Sequence, residues 1–599
     1  MRALGLFFFL CVAPRVAVAQ LTVDVVYPRS ERPVSAADST FVFGSVSDAR
    51  ARVFVNDVPM KLYPNGAFLG VVPVRADADT LRARAVLDSL TARQEVPIQV
   101  TPFLTTIPRD TFALDSSFVF PSEDVELTAG DYLEVAFKGT PGLIASCTIP
   151  GLVEDGPMNE TTAWRQFYWG EAVFGDGRPT VTPPVAGIYT GVFRIPHGVE
   201  LDSAAIVFQL RGVDGLSLEM QAPGRLTVRT ERVPRIAELT EELTVARTGP
   251  GLGYQQFLPA GVRLHITGKR GAYHRARLTD AESVWVPADA VTLLPPGTPL
   301  PTSRVQLVRT EELARAARVR IYLQQRLPFR VEQRERPAAL VVSVYGATAD
   351  TDWIRFDFRN PTIRDVRWAQ PQDGVYQLTI ELNHAQPWGF DPYYDGTTLV
   401  LDIKKPPRQY KLDHLLICLD PGHGPDDGAI GPTRLKEKDA NYQLALTVKQ
   451  KLEKKGATVF LTRKEAFGAS LRVRPKLAAF LGADLLLSLH HNALPDGLDP
   501  FRNRGSSTYY YHVQSRPLAA AIQRRLLEKL KLNNFGLYYD NLALCRPPQM
   551  PAVLIEPAFI MHPEEEQLIR TRKYREKVAD AIVKGIEDFL KQARAREEK

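Results

Sequence analysis

The feature that most restricts the fold of this 599-residue chain is a change of hydrophobic period at about residue 412. Before it, apolar residues come in short runs broken by turn signals, from LTVDVVYP and STFVFGSV near the start to TLVLDI just ahead of Lys404. Runs rich in Val, Ile, Phe and Thr, with Pro, Gly, Asn or Asp between them, predict strands and little helix. After it, strand-like runs (LLICLD, ATVFLT, ADLLLSLH, STYYYH, AVLIEP) alternate with helix-period stretches such as DANYQLALTVKQKLEKKG and YREKVADAIVKGIEDFLKQ. That alternation packs most simply as a largely parallel sheet with helices on both faces. The chain therefore reads as multidomain: several all-β modules followed by one α/β domain. Its length alone exceeds what a single core supports.

A hydrophobic content of 45% and a charged content of 24% exclude wholesale disorder. The first residues carry Arg2, an apolar core from Leu4 to Ala13, and Ala17-Val18-Ala19 before Gln20. This predicts an export signal over residues 1–19, cleaved after an A-x-A site. The apolar core is well short of the roughly 20 residues that span a bilayer. Phe8 and Leu10 make Cys11 a poor lipidation site. The expected mature protein is exported, periplasmic or extracellular and wall-associated, with no transmembrane segment. Cys147, Cys418 and Cys545 then remain, an odd and sparse set without a C-x-x-C pair, which argues against a disulfide framework and against cysteine metal ligands. Cys418 reads as a small core residue, and a Cys418–Cys545 bridge is the one pairing left open. Of the formal charge of +6, the part from Leu412 onward carries 30 Lys/Arg against 23 Asp/Glu, so the excess sits there. No aromatic-interleaved basic stripe accompanies it. Nucleic acid is therefore not expected as a partner, which leaves an anionic wall or membrane surface, or a solvated face.

Candidate chemistry sits at strand ends of the α/β part, where such sheets gather their ligands. An apolar run ends in Asp420 and feeds Pro421-Gly422-His423-Gly424, whose flanking glycines permit a sharp turn that presents the imidazole. Glu437 stands at the head of a helical pattern. A second run ends in His490-His491; successive strand side chains point oppositely, so only one faces a given site unless the strand has broken. The last run ends in Glu556. Two imidazoles and one carboxylate leave a tetrahedral zinc with an open position for water, whose pKa falls to roughly 7, and a further carboxylate can shuttle the proton. Spacing alone is weak evidence for such a site: it also fits a histidine packing a Gly turn and a glutamate placed at a helix start, where carboxylates are favoured anyway.

The order of these residues resembles the Amidase_3 family, zinc-dependent N-acetylmuramoyl-L-alanine amidases, over essentially Leu412 to Leu590. The matching positions are Asp420-Pro421-Gly422-His423-Gly424 with Asp427-Gly428-Ala429 and Gly431, then Glu437-Lys438 with Asn441, and Thr462-Arg463. They continue with Leu471, Arg474 and Ala478, Ala483-Asp484 with Ser488-Leu489-His490, Thr508-Tyr509-Tyr510, and Pro551 with Glu556, Phe559 and Glu565. The resemblance implies that His423, Glu437 and His490 bind Zn2+ and that Glu556 is the catalytic acid/base. His491 and Arg474 are then neighbours that support the site or face substrate, and Arg463 orients or supports. It implies cleavage of the amide between N-acetylmuramic acid and the L-alanine of the stem peptide, with peptidoglycan as partner and a protein activator as a further one. Two departures stand out: Pro425 replaces the second Gly of "HGG", and Met561-His562 replaces the usual Ser-Asn. Tyr511 to Pro551 has no room for the inhibitory helical insertion of some periplasmic relatives, so the site is expected not to be self-blocked in that way.

Upstream, residues 20–101 resemble bacterial Ig-like repeats in VFVNDVPMKLYPNGAFLGVVPV, and residues 102–232 read as a β-rich domain of no named family. There Trp164 and Trp169 are read as core rather than as a sugar-stacking pair. Residues 233–300 resemble a bacterial SH3-like module, in which His265 and His274 lack acid partners and read as structural. Residues 304–405 resemble the AMIN β-sandwich that binds peptidoglycan beside wall amidases, 406–411 read as a linker, and 412–599 as the catalytic domain. Site chemistry by itself leaves a zinc peptidase open. A non-catalytic wall-binding scaffold is disfavoured because all four key residues are present.

Overall fold

The computed structural model describes residues 20–598 except 30–32, 35–38, 76–79, 102, 162–163, 165–166, 169–172, 175–179, 182–183, 231–232, 358–360 and 466–467. The expected export signal and Trp169 lie outside the described residues. No described helix is long and apolar enough to cross a membrane.

The chain opens with two four-stranded sheets. In the first, β1 (Val23–Tyr27), β2 (Ser39–Val46), β3 (Lys61–Leu62) and β4 (Ala67–Pro73) lie in the order β1-β2-β4-β3, all antiparallel. Val42, Val46, Phe68 and Val72 of this sheet meet Val53, Val55, Leu81 and Ala85 of the other in one core. β2 is buried on both faces: Val42 and Val46 point into that core, whereas Phe41 and Phe43 point the other way, against residues beyond position 490.

The next two segments are not separate in space. One sheet joins Val125–Thr128 and Leu226–Arg229 of the second segment to Arg263–Arg270 of the third. The third and fourth also share a core, in which Leu239, Leu264 and Val286 belong to the same cluster as Val319, Leu340 and Ile403. Trp164 packs edge-on against Phe118. Residues 303–404 form a five-stranded and a four-stranded sheet. The stretch 406–411 is no free tether: Trp388 sits in the core of the α/β domain against Phe589 and Tyr410, and Lys404 Nζ pairs with Asp484 Oδ1 at 2.8 Å.

Among the described residues the α/β domain has six strands: β5 (Leu416–Pro421), β6 (Thr458–Leu461), β7 (Leu485–Leu489), β8 (Ser506–Tyr510), β9 (Asn534–Tyr539) and β10 (Ala552–Glu556), in the order β6-β5-β7-β10-β8-β9. Strands β6, β5, β7 and β10 are mutually parallel, but β8 runs antiparallel to β10 and carries β9 with it. The sheet is thus largely parallel, as expected, with one antiparallel junction between β10 and β8. After β7 the chain stays at the carboxyl end of the sheet through residues 490–505, and without a crossover helix the next strand must return antiparallel. Odd-numbered residues such as Ile417, Leu419, Leu487 and Val553 share a core with α1 (Glu437–Glu453), α3 (Arg516–Leu530), α4 (Pro563–Ile569, through Ile569) and α5 (Arg572–Glu597); even-numbered Cys418, Leu486 and Ala552 face α2 (Val473–Phe480) through Ala478. Helix α5 starts where the Thr571 hydroxyl accepts from Tyr574 N at 3.2 Å, and it lays Val578, Ile582, Ile586 and Phe589 on the core, each contributing about 1.5–3 kcal/mol. Cys418 and Cys545 are buried in different clusters and both are free, so the bridge left open by the sequence does not form.

Candidate metal centre

Each of the four expected site residues stands at the carboxyl end of a parallel strand or in the segment that follows one. Asp420 is fully buried at the end of β5, where its Oδ2 accepts from Ser488 Oγ at 2.7 Å and its Oδ1 from Thr462 Oγ1 and from Arg474 Nη1 at 3.0 Å. Arg474 also donates to the carbonyls of Pro421, His423 and Gly424, and Arg463 donates to those of Pro421 and Gly422. The two guanidiniums thus clamp the loop from beneath. Arg474 is 3% exposed and Arg463 6%, so neither presents its head to a substrate.

The loop geometry differs from the expectation in one respect. His423 itself adopts the left-handed conformation at φ +64°, next to Gly424 at +74°. Gly422 is required for a different reason: a Cβ there would lie 2.2 Å from His490 Cε1, because the imidazole packs directly on its Cα.

His423 Nε2 lies 2.9 Å from Glu437 Oε2, and His490 Nδ1 lies 2.9 Å from Glu437 Oε1. One ligand atom from each of the three residues falls within 4.8 Å of the others. Glu437 is the first residue of α1 and its side chain is buried; Oε2 also accepts from Ala429 N at 2.9 Å and Oε1 from Asn441 Nδ2 at 3.1 Å. Burial pushes its pKa up, but hydrogen bonds from and charges on the two imidazoles outweigh that and hold it well below the usual carboxylate range. Burial likewise opposes protonation of His423, yet Glu437 and Asp426 together raise it. Asp426 Oδ1 sits 2.6 Å from His423 Nδ1. The donor set fits a metal ion, since a metal-ligating histidine usually has its other nitrogen held by a carboxylate.

Strand β7 ends at Leu489, and the two histidines that follow part company. His490 joins the cluster; His491 is 2% exposed, bonds Asn441 Oδ1 through Nδ1 at 2.7 Å, and is depressed to about 4 by burial. It supports Asn441 from inside and does not face a substrate. Glu556 closes β10 and retains partial exposure, while its Oε2 is wholly buried and accepts no hydrogen bond from the described residues. Burial, and then the charge of Glu437, push its pKa well up. His423 keeps 28% and His490 17% of its side chain exposed. Between Tyr511 and Pro551 the described elements are one 3-10 turn, α3 and β9.

Asp426 and Asn441 were not singled out as working residues by sequence reasoning. The signal for Asp426 was its place three residues after His423, within the same turn. Tyr574, whose buried hydroxyl has no partner among the described residues and which packs on His491, gave no local signal at all.

Residues 417–588 match the model of the family described as N-acetylmuramoyl-L-alanine amidase, Amidase_3. The probable cell wall amidase LytH of Staphylococcus aureus is 35% identical over 177 residues, which cover 29% of this chain and 58% of the relative. The chain thus spans somewhat over half the length of the curated relatives it matches. The N-acetylmuramoyl-L-alanine amidase of Clostridium difficile 630 aligns at 34% identity over 30% of this chain and 97% of its own, with a TM-score of 0.28. The catalytic domain of CwlV from Bacillus (Paenibacillus) polymyxa var. colistinus aligns at 29% identity over 30% and 98%, with a TM-score of 0.28. The C-terminal part of the chain is an Amidase_3 family N-acetylmuramoyl-L-alanine amidase domain.

Proposed function

We propose that this protein is a zinc-dependent peptidoglycan hydrolase that cleaves the amide between N-acetylmuramic acid and the L-alanine of the stem peptide. The observation that carries the proposal is the cluster His423–Glu437–His490 on an Amidase_3 domain, with Glu556 at the end of the adjacent strand. His423, Glu437 and His490 would hold the zinc. Bound there, the ion acidifies a water and polarises the scissile carbonyl.

Glu556 does the proton work. Its raised pKa, set by burial and the Glu437 charge, suits a carboxylate that accepts a proton from the attacking water and returns it to the departing L-alanine nitrogen. Asp426 fixes the His423 ring, Asn441 holds Glu437, and the Arg474 and Arg463 clamp fixes the loop backbone. We assign export to residues 1–19, and wall positioning to the Ig-like, SH3-like and AMIN-like segments. A protein activator is a further proposed partner.

The test is mass spectrometry of sacculi digested with wild type, with Glu556→Gln and with chelator-treated protein. Wild type should release stem peptides with a free L-alanine amine. Glu556→Gln should be slower by about 10²-fold or more while keeping its metal. Cuts elsewhere in the stem peptide would replace this reading with a peptidase, and no cuts at all with a scaffold.

A further inference from the structure

The outer face of the first sandwich is docked on the α/β domain, beside the His423–Glu437–His490 cluster. Phe41 and Phe43 of β2 and Leu69 of β4 are 2%, 4% and 0% exposed, yet they do not belong to the sandwich core; they share a cluster with Leu494, Phe559 and Met561. The contact touches three segments that each adjoin a site residue. Arg434, three residues ahead of Glu437, bonds Asp24 through Nε at 2.7 Å and Nη2 at 2.5 Å. Asp496, in the loop after His490, accepts from the Tyr27 hydroxyl. Phe559 to His562, directly after Glu556, packs under Phe41, Phe43 and Tyr63, the last meeting His562 edge-on at 5.8 Å.

This contact accounts for Met561-His562, the departure from the family pattern. Met561 is 2% exposed and its Sδ accepts from Leu494 N at 3.1 Å; His562 is 2% exposed and driven down to about 3 by burial, then by Arg504 and Lys61. Both residues suit an interface better than a wet rim. The docked sandwich also leaves His423 and His490 partly exposed, so it frames the site without sealing it.

We infer that the first sandwich is a positioning element for the proposed amidase: docked, it holds the loop after His490 and the turn after Glu556 in working geometry. The inference rests on the amidase reading. Substitutions on both sides of the contact test it in the full chain. Phe43→Asp and Met561→Ser should each lower kcat on a soluble muramyl peptide by about 10- to 100-fold, as misplacement of about 1 Å does. KM and metal content should stay close to wild type, and amide exchange should quicken at 493–501 and 559–562. Phe43→Leu should restore kcat.

Faster exchange with unchanged kcat would overturn the inference by making the contact merely structural. A rise in kcat would overturn it in favour of a latch. If wild type itself frees no L-alanine amine while the exchange pattern behaves as described, the amidase reading has failed and the positioning role falls with it.

Discussion

Replacing Arg474 by Met tests whether the clamp beneath the His423 loop is an energetic unit. Arg474 and Asp420 are 4% and 0% exposed in their side chains and 3.0 Å apart, so the substitution strands a carboxylate with two hydroxyl donors and no cation. Breaking a buried pair from one side costs about 3–5 kcal/mol. The carbonyls of Ala469, His423 and Gly424 lose the guanidinium as donor as well, and that of Pro421 is left with Arg463 alone, but members of one network are not additive, and the same range should cover the total. Adding Asp420→Asn removes the stranded charge and keeps the hydroxyl partners, so the double variant should regain about 2 kcal/mol or more. The chain has several cores and will not unfold in one step, so the readout is hydrogen exchange of β5 and β7 amides rather than a global midpoint. Because Arg474 also holds the His423 carbonyl, zinc affinity should fall about 10- to 100-fold in the single variant. If the double variant is as destabilised as the sum of the two singles, Asp420 and Arg474 are not coupled and the clamp is not an energetic unit.

Asp426→Asn, which weakens the restraint on His423 Nδ1, should lower zinc affinity about 10- to 100-fold in a competitive chelator titration with little change in fold; unchanged affinity would remove Asp426 from the site. Gly422→Ala should abolish metal binding by driving a methyl into the His490 ring, and calorimetric zinc titration showing wild-type uptake would refute that packing. The metal-free protein should carry a pH signature. His423 is raised above its unfolded value by Glu437 and Asp426, so its contribution to stability is complete below the unfolded histidine pKa of about 6.5 and is lost as pH rises through the higher folded value. The same protons compete with metal, so zinc affinity should start to fall, on acidification, above pH of about 6.5; an onset well below that would contradict the pairing.

The α/β topology was legible except where long-range connection decided it. Strands β5, β6, β7 and β10 and the helices between them follow from period and turn chemistry, and the strand-end rule placed His423, Glu437, His490 and Glu556 together. The reversal of β8 was not legible, because STYYYH has the same pattern whichever way it runs; only the loop path of residues 490–505 fixes its direction. The parting of His490 and His491 could be stated as a rule of alternation, but which of them would face inward depended on where β7 stopped. For Arg474 the sequence left support of the site and contact with substrate both open, because a lone arginine in a sequence carries no sign of burial. Its partner Asp420, at the end of an apolar strand, was the available hint. The module boundaries at 232–233 and 300–304 mark changes of pattern, yet one sheet crosses the first and one core the second, since strand pairing and packing are long-range properties.

The docking of the first sandwich has counterparts in the sequence. In STFVFGSV the consecutive Phe41-Val42-Phe43 put large apolar side chains on both faces, where a strand with one wet face would alternate with polar residues. A two-sheet sandwich covers only one face of each sheet, so Phe41 and Phe43 already demanded a second partner. The Met561-His562 departure was the complementary demand, an apolar side chain where a wet turn would carry Ser-Asn. Neither sequence feature names the other, because a hydrophobic surface is non-directional and specifies only that it be covered. The structure joins them, with Phe559 at the centre of the contact three residues after Glu556. A module whose sequence resembles Ig-like repeats is thereby coupled to the turn that carries the proposed base, and changes in its outer face are expected to register in turnover before they register in wall binding.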